Sequence, residues 1–198
     1  MDVRAPAILV AARPHGETAV IARLLTEEFG VVAAYVAGGR GRVLRPVVIP
    51  GNLVEAQIRA KSDSQLPFAK LELLESRGPW LSEPLPAAAI QWVTALTASA
   101  LPERNPYPSL FNALRGVLDA ICNAPSARGW ARGLLSYEAL LLRELGYGGM
   151  KPEAEELGEI VRAMEKLEQP IARHLLTGRQ ENALAARGQL LDRLRRMI

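Results

Sequence analysis

A chain of 198 residues that is 49% apolar and 23% charged has the composition of a globular protein with one or two domains and a sizeable core. Its apolar runs all stop short of the roughly 18 to 20 residues that cross a bilayer, and its one cysteine, Cys122, excludes an intrachain disulfide and a zinc site built on several thiolates. The net charge of +3 is modest, and Met1-Asp2-Val3-Arg4-Ala5-Pro6 lacks the basic and long apolar regions of a signal peptide, so a cytoplasmic protein is expected.

Ala5–Ala12 is a short apolar run ending at Arg13-Pro14-His15-Gly16-Glu17, which reads as a strand and a turn. Ala19–Leu25 fits a strand or a short helix and is assigned to a strand because turn signals bound it. Val31–Val36, β-branched and aromatic, is the clearest strand. Val47-Val48-Ile49, ahead of Pro50-Gly51-Asn52, is expected to be a fourth, and Leu53–Ala60 and Phe68–Glu75 follow with alternating apolar positions. So many short strands in succession imply a closed or nearly closed small barrel over residues 1–77, because an open sheet of that size leaves unpaired edges.

Beyond Arg77-Gly78-Pro79 the spacing turns helical. Pro86–Ala100 carries Ile90, Val93 and Leu96 at helical spacing and is closed by Pro102. Ser109 is the expected N-cap of Leu110–Cys122, and Gly129–Leu145 is a third helix, stopped by Gly146-Tyr147-Gly148-Gly149. Pro152–Glu168 is a fourth with an acidic first turn, and Pro170–Leu176 and Glu181–Met197 complete an all-α domain over 78–198. The fold class expected is α+β, a β-barrel followed by helices. Cys122, Tyr137, Trp92 and Trp130 fall on apolar helical faces and are expected in the core.

The distribution of charge says more than its sum. Between Gly30 and Ser62 there are five bases, Arg40, Arg42, Arg45, Arg59 and Lys61, against the single acid Glu55. Three of them lie on or beside the turn Gly38-Gly39-Arg40-Gly41-Arg42, where glycines either let the backbone approach a phosphate or serve the turn alone. A barrel that holds single strands also needs exposed rings, and Tyr35 and Phe68 are the only candidates between Phe29 and Trp80. His15 beside Glu17 invites an acid–base reading, but no nucleophile accompanies the pair and no Gly-x-x-x-x-Gly-Lys phosphate loop is present, so neither an enzyme nor a cofactor is expected.

These motifs resemble a known family, the bacterial DNA repair and recombination mediator RecO. The resemblance runs through Val10 and Arg13, His15-Gly16-Glu17-Thr18, Leu24-Leu25-Thr26-Glu27, Gly30, and the turn at Gly39 and Arg42. It resumes at Leu101-Pro102-Glu103, at Pro106-x-Pro108-x-Leu110-Phe111, and at Tyr137-Glu138-x-x-Leu141-Leu142-x-x-Leu145-Gly146-Tyr147-Gly148. It implies an N-terminal oligonucleotide-binding (OB-fold) barrel and a C-terminal helical domain. It also implies a mediator that binds single- and double-stranded DNA, anneals complementary strands and, with RecR, helps load recombinase onto strands coated by single-strand-binding protein. Many members carry a thiol-containing insert after the Leu-Gly-aromatic-Gly segment. Here Gly149-Met150-Lys151-Pro152 contains no cysteine, and no zinc is expected.

The DNA-binding candidates are therefore Arg13, Arg40, Arg42, Arg45, Arg59 and Lys61. For the acidic tail of single-strand-binding protein the candidates are Arg115, Arg132 and Arg143, beside an apolar face that includes Leu135 and Leu142. The competing reading is an adaptor whose helical half docks proteins and whose barrel touches little nucleic acid.

Overall fold

The computed structural model describes residues 2–60, 62, 65–149, 152–176 and 180–198, with the side chains of 180–182 left aside. The chain divides into two compact units, one reaching to Pro79 and including Leu101–Phe111, the other made of Trp80–Ala100 and Asn112–Ile198. The stretch Leu101–Phe111, which lies in the sequence of the helical half, thus belongs with the barrel.

Five strands close that barrel: β1 (Asp2–His15), β2 (Ala19–Thr26), β3 (Gly30–Val36), β4 (Leu53–Arg59) and β5 (Phe68–Glu75), in the order β1-β2-β3-β5-β4. β1 is long enough to serve two neighbours, pairing with β4 from Asp2↔Arg59 to Ile8↔Leu53 and with β2 from Ala7↔Thr26 to His15↔Ala19. Its register shifts between Leu9 and Ala11. The extra residue reverses the in–out alternation, as a bulge does. Ala7 and Leu9 face the core before it, while after it Ala12 packs inward opposite buried Ala22 and Arg13 and His15 turn to the outside. The expected turn at Arg13–His15 is accordingly still strand.

The core is the sum of these alternations: Val20, Ala22 and Leu24 from β2, Val32, Ala34 and Val36 from β3, Val54, Ala56 and Ile58 from β4, Ala69 and Leu71 from β5. The expected strand at Val47–Ile49 does not form. Pro46 and Pro50 flank a run of three residues and donate no backbone hydrogen bond, so no ladder extends there. The segment instead winds in helical turns, with Arg45 N–H donating to Gly41 O and Val48 N–H to Leu44 O, both at 2.9 Å, and lowers Val47, Leu44 and Val48 onto the barrel core. Buried Asn52 pins it. Its amide donates to Pro46 O at 2.9 Å and Val47 O at 3.0 Å, and its carbonyl oxygen accepts from Arg77 N–H at 2.7 Å.

A second pin lies at the start of β3. Arg104 N–H donates to Val31 O at 2.9 Å, Val31 and Glu103 form a parallel bridge, and Glu103 accepts from Arg23 at 2.7 Å. Gly30, at φ +65°, presses against the backbone of Asn105 with no room for a Cβ.

The helical unit carries α1 (Pro84–Ala100), α2 (Pro108–Asn123, from Asn112 on), α3 (Ala127–Glu144), α4 (Leu157–His174) and α5 (Gln180–Arg195). α1, α3 and α5 lie within two residues of the expected ranges, and the starts of α2 and α4 differ for local reasons. α2 starts at Pro108, with Tyr107 O accepting from Leu110 and Phe111 N–H at 3.0 Å, so Ser109 lies inside the helix and proline takes its favoured first-turn place. The two helices expected at Pro152–Glu168 and Pro170–Leu176 are one, which starts at Leu157 rather than Pro152, behind a Glu156/Glu159 capping box, and runs through Pro170. The buried stripe Ile160, Val161, Met164 and Ile171 holds it together across the proline.

Trp92, Trp130 and Tyr137 are core residues, and Cys122 is half-buried. Tyr137 shares a 2.7 Å hydrogen bond with the Thr97 hydroxyl, and burial raises its phenol pKa far above the ordinary range. Beside it a charged pair is wholly enclosed. Arg187 and Glu138, 1% and 0% exposed, pair at 3.0 Å, and Trp92 Nε1–H donates to Glu138 at 2.7 Å. Arg187 also donates to Met164 O and to Glu168, and stands 5.6 Å over the Trp92 ring.

Candidate nucleic-acid interface

The pairing of the strands sets five residues on the outer side of the sheet in one row around the barrel; Ile21 among them is buried, Tyr35 is half-buried, and Arg13, Phe68 and Arg59 are exposed. Arg13 pairs with Ile21, Ile21 with Tyr35, Tyr35 with Phe68, and Phe68 with Arg59. Each lies next to an inward core residue in its own strand, which is why the row faces out. Tyr35 and Phe68 meet edge to face with ring centroids 5.2 Å apart, and His15 meets Tyr35 in the same manner at 5.9 Å. Phe68 is 63% exposed, although an apolar ring of that size is ordinarily buried.

The basic turn adjoins one end of this row. Arg40 N–H donates to Thr18 O at 2.8 Å and its guanidinium to Gly16 O at 3.2 Å, which fastens the turn to the residues following His15. Arg45 in turn donates to Arg40 O at 3.4 Å. Of the two roles open to the glycines, the structure shows turn and packing. Gly38 has φ +67°, and a Cβ on Gly39 would meet a Val20 methyl at 2.6 Å.

Most of the barrel's described arginines fall into two groups. Arg4 pairs with Glu55, Arg23 with Glu103, Arg77 with Glu75, and Arg59 with Asp2 at 3.2 Å. Arg13, Arg40, Arg42 and Arg45 are exposed and make no ion pair among the described residues. These four candidates thus lie on or beside the β1–β2 turn and the basic turn fastened to it, and Arg59 stands at the opposite end of the row. Lys61 lies outside the described residues.

The peptide-binding candidates are less well assembled. Arg132 meets Glu155 at 3.6 Å, Arg128 meets Glu156 at 2.8 Å, and Arg143 and Arg115 are exposed on α3 and α2. Leu135, Ala139 and Leu142, which lie between the α3 arginines in sequence, are 1%, 2% and 2% exposed and offer no open apolar floor. Among the described residues no group of three or more His, Cys, Asp or Glu side chains comes together to ligate a metal.

Sequence reasoning had the residue types but not their adjacency. Tyr35 and Phe68 read as a thin stacking surface because they are the only rings between Phe29 and Trp80; they stand 33 positions apart, and only the β3–β5 pairing, with its single parallel match, joins them. The alternation of β5, which puts Phe68 out of phase with inward Ala69 and Leu71, was the signal available.

The comparisons agree with this geometry at the level of family. The model described as "Recombination protein O N terminal" matches residues 1–77, and "Recombination protein O C terminal" matches 82–149. A "DNA repair protein RecO" of Rhodospirillum centenum is 43% identical over 143 residues, covering 72% of this chain and 56% of the relative. Those of Gluconacetobacter diazotrophicus and Caulobacter vibrioides are 37% and 39% identical over 75% of this chain and 59% and 60% of their own. The chain thus spans less than two thirds of the length of these relatives, and α4 and α5 lie past both matched regions. With both halves of the family matched in order, on an OB-type barrel followed by helices, the chain belongs to the RecO family.

Proposed function

We propose that this protein is a non-enzymatic DNA-binding mediator of recombinational repair, acting in the cytoplasm, whose barrel grips the sugar–phosphate backbone. The observation that carries this reading is the cluster Arg13, Arg40, Arg42 and Arg45, exposed and without carboxylate partners beside the β1–β2 turn. Paired arginines are largely neutralised, whereas unpaired ones raise the local potential and release counterions when phosphates replace them. Even Glu17, in the same turn, forms no ion pair with them among the described residues.

Replacing Arg40 and Arg42 together with alanine is expected to weaken DNA binding regardless of sequence. It should also flatten the dependence of log K on log salt by about one to two units. Fluorescence anisotropy across a salt series measures this, and an unchanged slope in a folded variant removes the turn from the interface. A wild-type protein showing no salt-dependent binding would instead support the adaptor reading.

Annealing of complementary strands, cooperation with RecR, and recruitment through the acidic tail of single-strand-binding protein belong to the same proposal, supported by family membership. For the tail, the exposed α3 arginines supply charge, and Arg132 must exchange Glu155 for a tail carboxylate. Reversing the charge of Arg132 and Arg143 is expected to lower tail affinity at least several-fold in calorimetry while sparing annealing of naked strands. Unchanged affinity places the tail elsewhere.

A further inference from the structure

We propose that the Tyr35–Phe68 pair is a base-stacking step that makes the barrel prefer single-stranded DNA to duplex, with Arg13 and Arg59 holding phosphates at its two ends. This rests on the DNA-binding reading above and adds to it the form of the ligand.

The row Arg13–Ile21–Tyr35–Phe68–Arg59 crosses four strand-to-strand steps, about 19 Å at 4.7–4.9 Å each. That length suits a short stretch of single strand, at the low end of the roughly 4–16 nucleotides an OB barrel covers. It has a cation at each end and two adjoining rings between them, with buried Ile21 separating Arg13 from Tyr35. The edge-to-face contact buries one side of the pair and leaves most of Phe68 exposed to solvent. Such a ring gains by stacking on an unstacked base, and in a duplex every base face is already covered by its neighbours.

Two neighbours strengthen the assignment. His15, edge-on to Tyr35, is followed directly by Gly16, whose carbonyl holds Arg40, so the rings run into the basic turn without a gap. Acidic residues on the outer face of β4 and β5, Glu55 and Glu72, lie further along the strands and are met by Arg4 at 3.3 and 4.0 Å. Asp2 holds Arg59 at a surface where both are mostly exposed, a pairing a phosphate displaces at little cost.

The test compares Phe68→Ala and Phe68→Trp in the full chain, with binding to labelled oligothymidine and to a blunt duplex measured side by side. Phe68→Ala is expected to lower single-strand affinity about 5- to 100-fold, leaving duplex affinity and the salt slope unchanged. Phe68→Trp is expected to retain or raise single-strand affinity. Because the side chain is exposed, neither change disturbs the core, and the tryptophan variant distinguishes lost stacking from lost folding. The proposal is overturned if Phe68→Ala leaves single-strand affinity intact, or lowers single-strand and duplex affinity alike. In both cases the Arg40/Arg42 salt effect stands on its own. Failure of the unaltered protein to bind either DNA at low salt removes the DNA-binding reading and this inference together.

Discussion

Substituting methionine for Arg187 is expected to destabilise the helical unit by about 3–5 kcal/mol. The Glu138 carboxylate has no exposed surface, and its two oxygens accept from Arg187 at 3.0 and 3.3 Å and from Trp92 at 2.7 Å. Without the guanidinium, one buried charge is left facing a single indole N–H, and Met164 O loses its donor as well. Against a typical domain stability of about 5–15 kcal/mol the loss is large enough to unfold the unit on mild heating. The double variant Glu138→Leu/Arg187→Met should be less damaged than the single one, because removing both charges leaves no uncompensated ion. Circular dichroism melts decide the matter, and a single variant within about 1 kcal/mol of the native chain would show that the enclosure is weaker than described.

Replacement of Gly30 with alanine should be nearly as severe. At φ +65° any side chain costs about 1–2 kcal/mol, and here the new methyl collides with the main chain of Asn105, which cannot swing aside as a side chain would. Relief requires the Leu101–Phe111 stretch to lift from β3, breaking the Arg104–Val31 hydrogen bond and the Arg23–Glu103 pair. Total loss of about 3 kcal/mol or more is expected, together with faster tryptic cleavage at Arg104. Gly38→Ala is the control. Its φ is +67° but nothing lies within 4 Å of the added carbon, so it bears the backbone cost alone. If the two variants melt together, the close approach to Asn105 does not matter.

Much of the barrel was legible because alternation is a local signal. β4 and β5 show it directly, while β3 is marked by its β-branched and aromatic content and β2 by the turn signals around it, and each is placed within a residue or two. β1 was read short because its bulge breaks that alternation at Val10, and Pro14 imitates a turn. Val47–Ile49 misled in the other direction. β-branched residues signal burial as much as strand, and here Val47 is buried by capping the barrel. In the helical half, Tyr137 and Glu138 carry part of the family resemblance, yet the partner that explains Glu138 is Arg187, beyond the residues the family models match. No spacing rule links positions 49 apart on different helices. The site divides along the same line. The arginines were visible as composition, whereas the row they share with Tyr35 and Phe68 exists only through strand pairing.

The double duty of β1 also fixes an order of events during synthesis. Its second half finds β2 almost at once, since the hairpin turn spans only Gly16–Thr18. Its first half waits for β4, with Asp2 and Arg59 57 residues apart. At roughly 5–20 residues per second that is an interval of about 3–11 s in which the free edge of Asp2–Ile8 has no partner. Barrel closure is therefore a non-local step, of the kind whose loop-closure entropy slows folding. The charges that alternate along this edge, Asp2 and Arg4, with Pro6 after them, guard the waiting strand against pairing with another copy of itself.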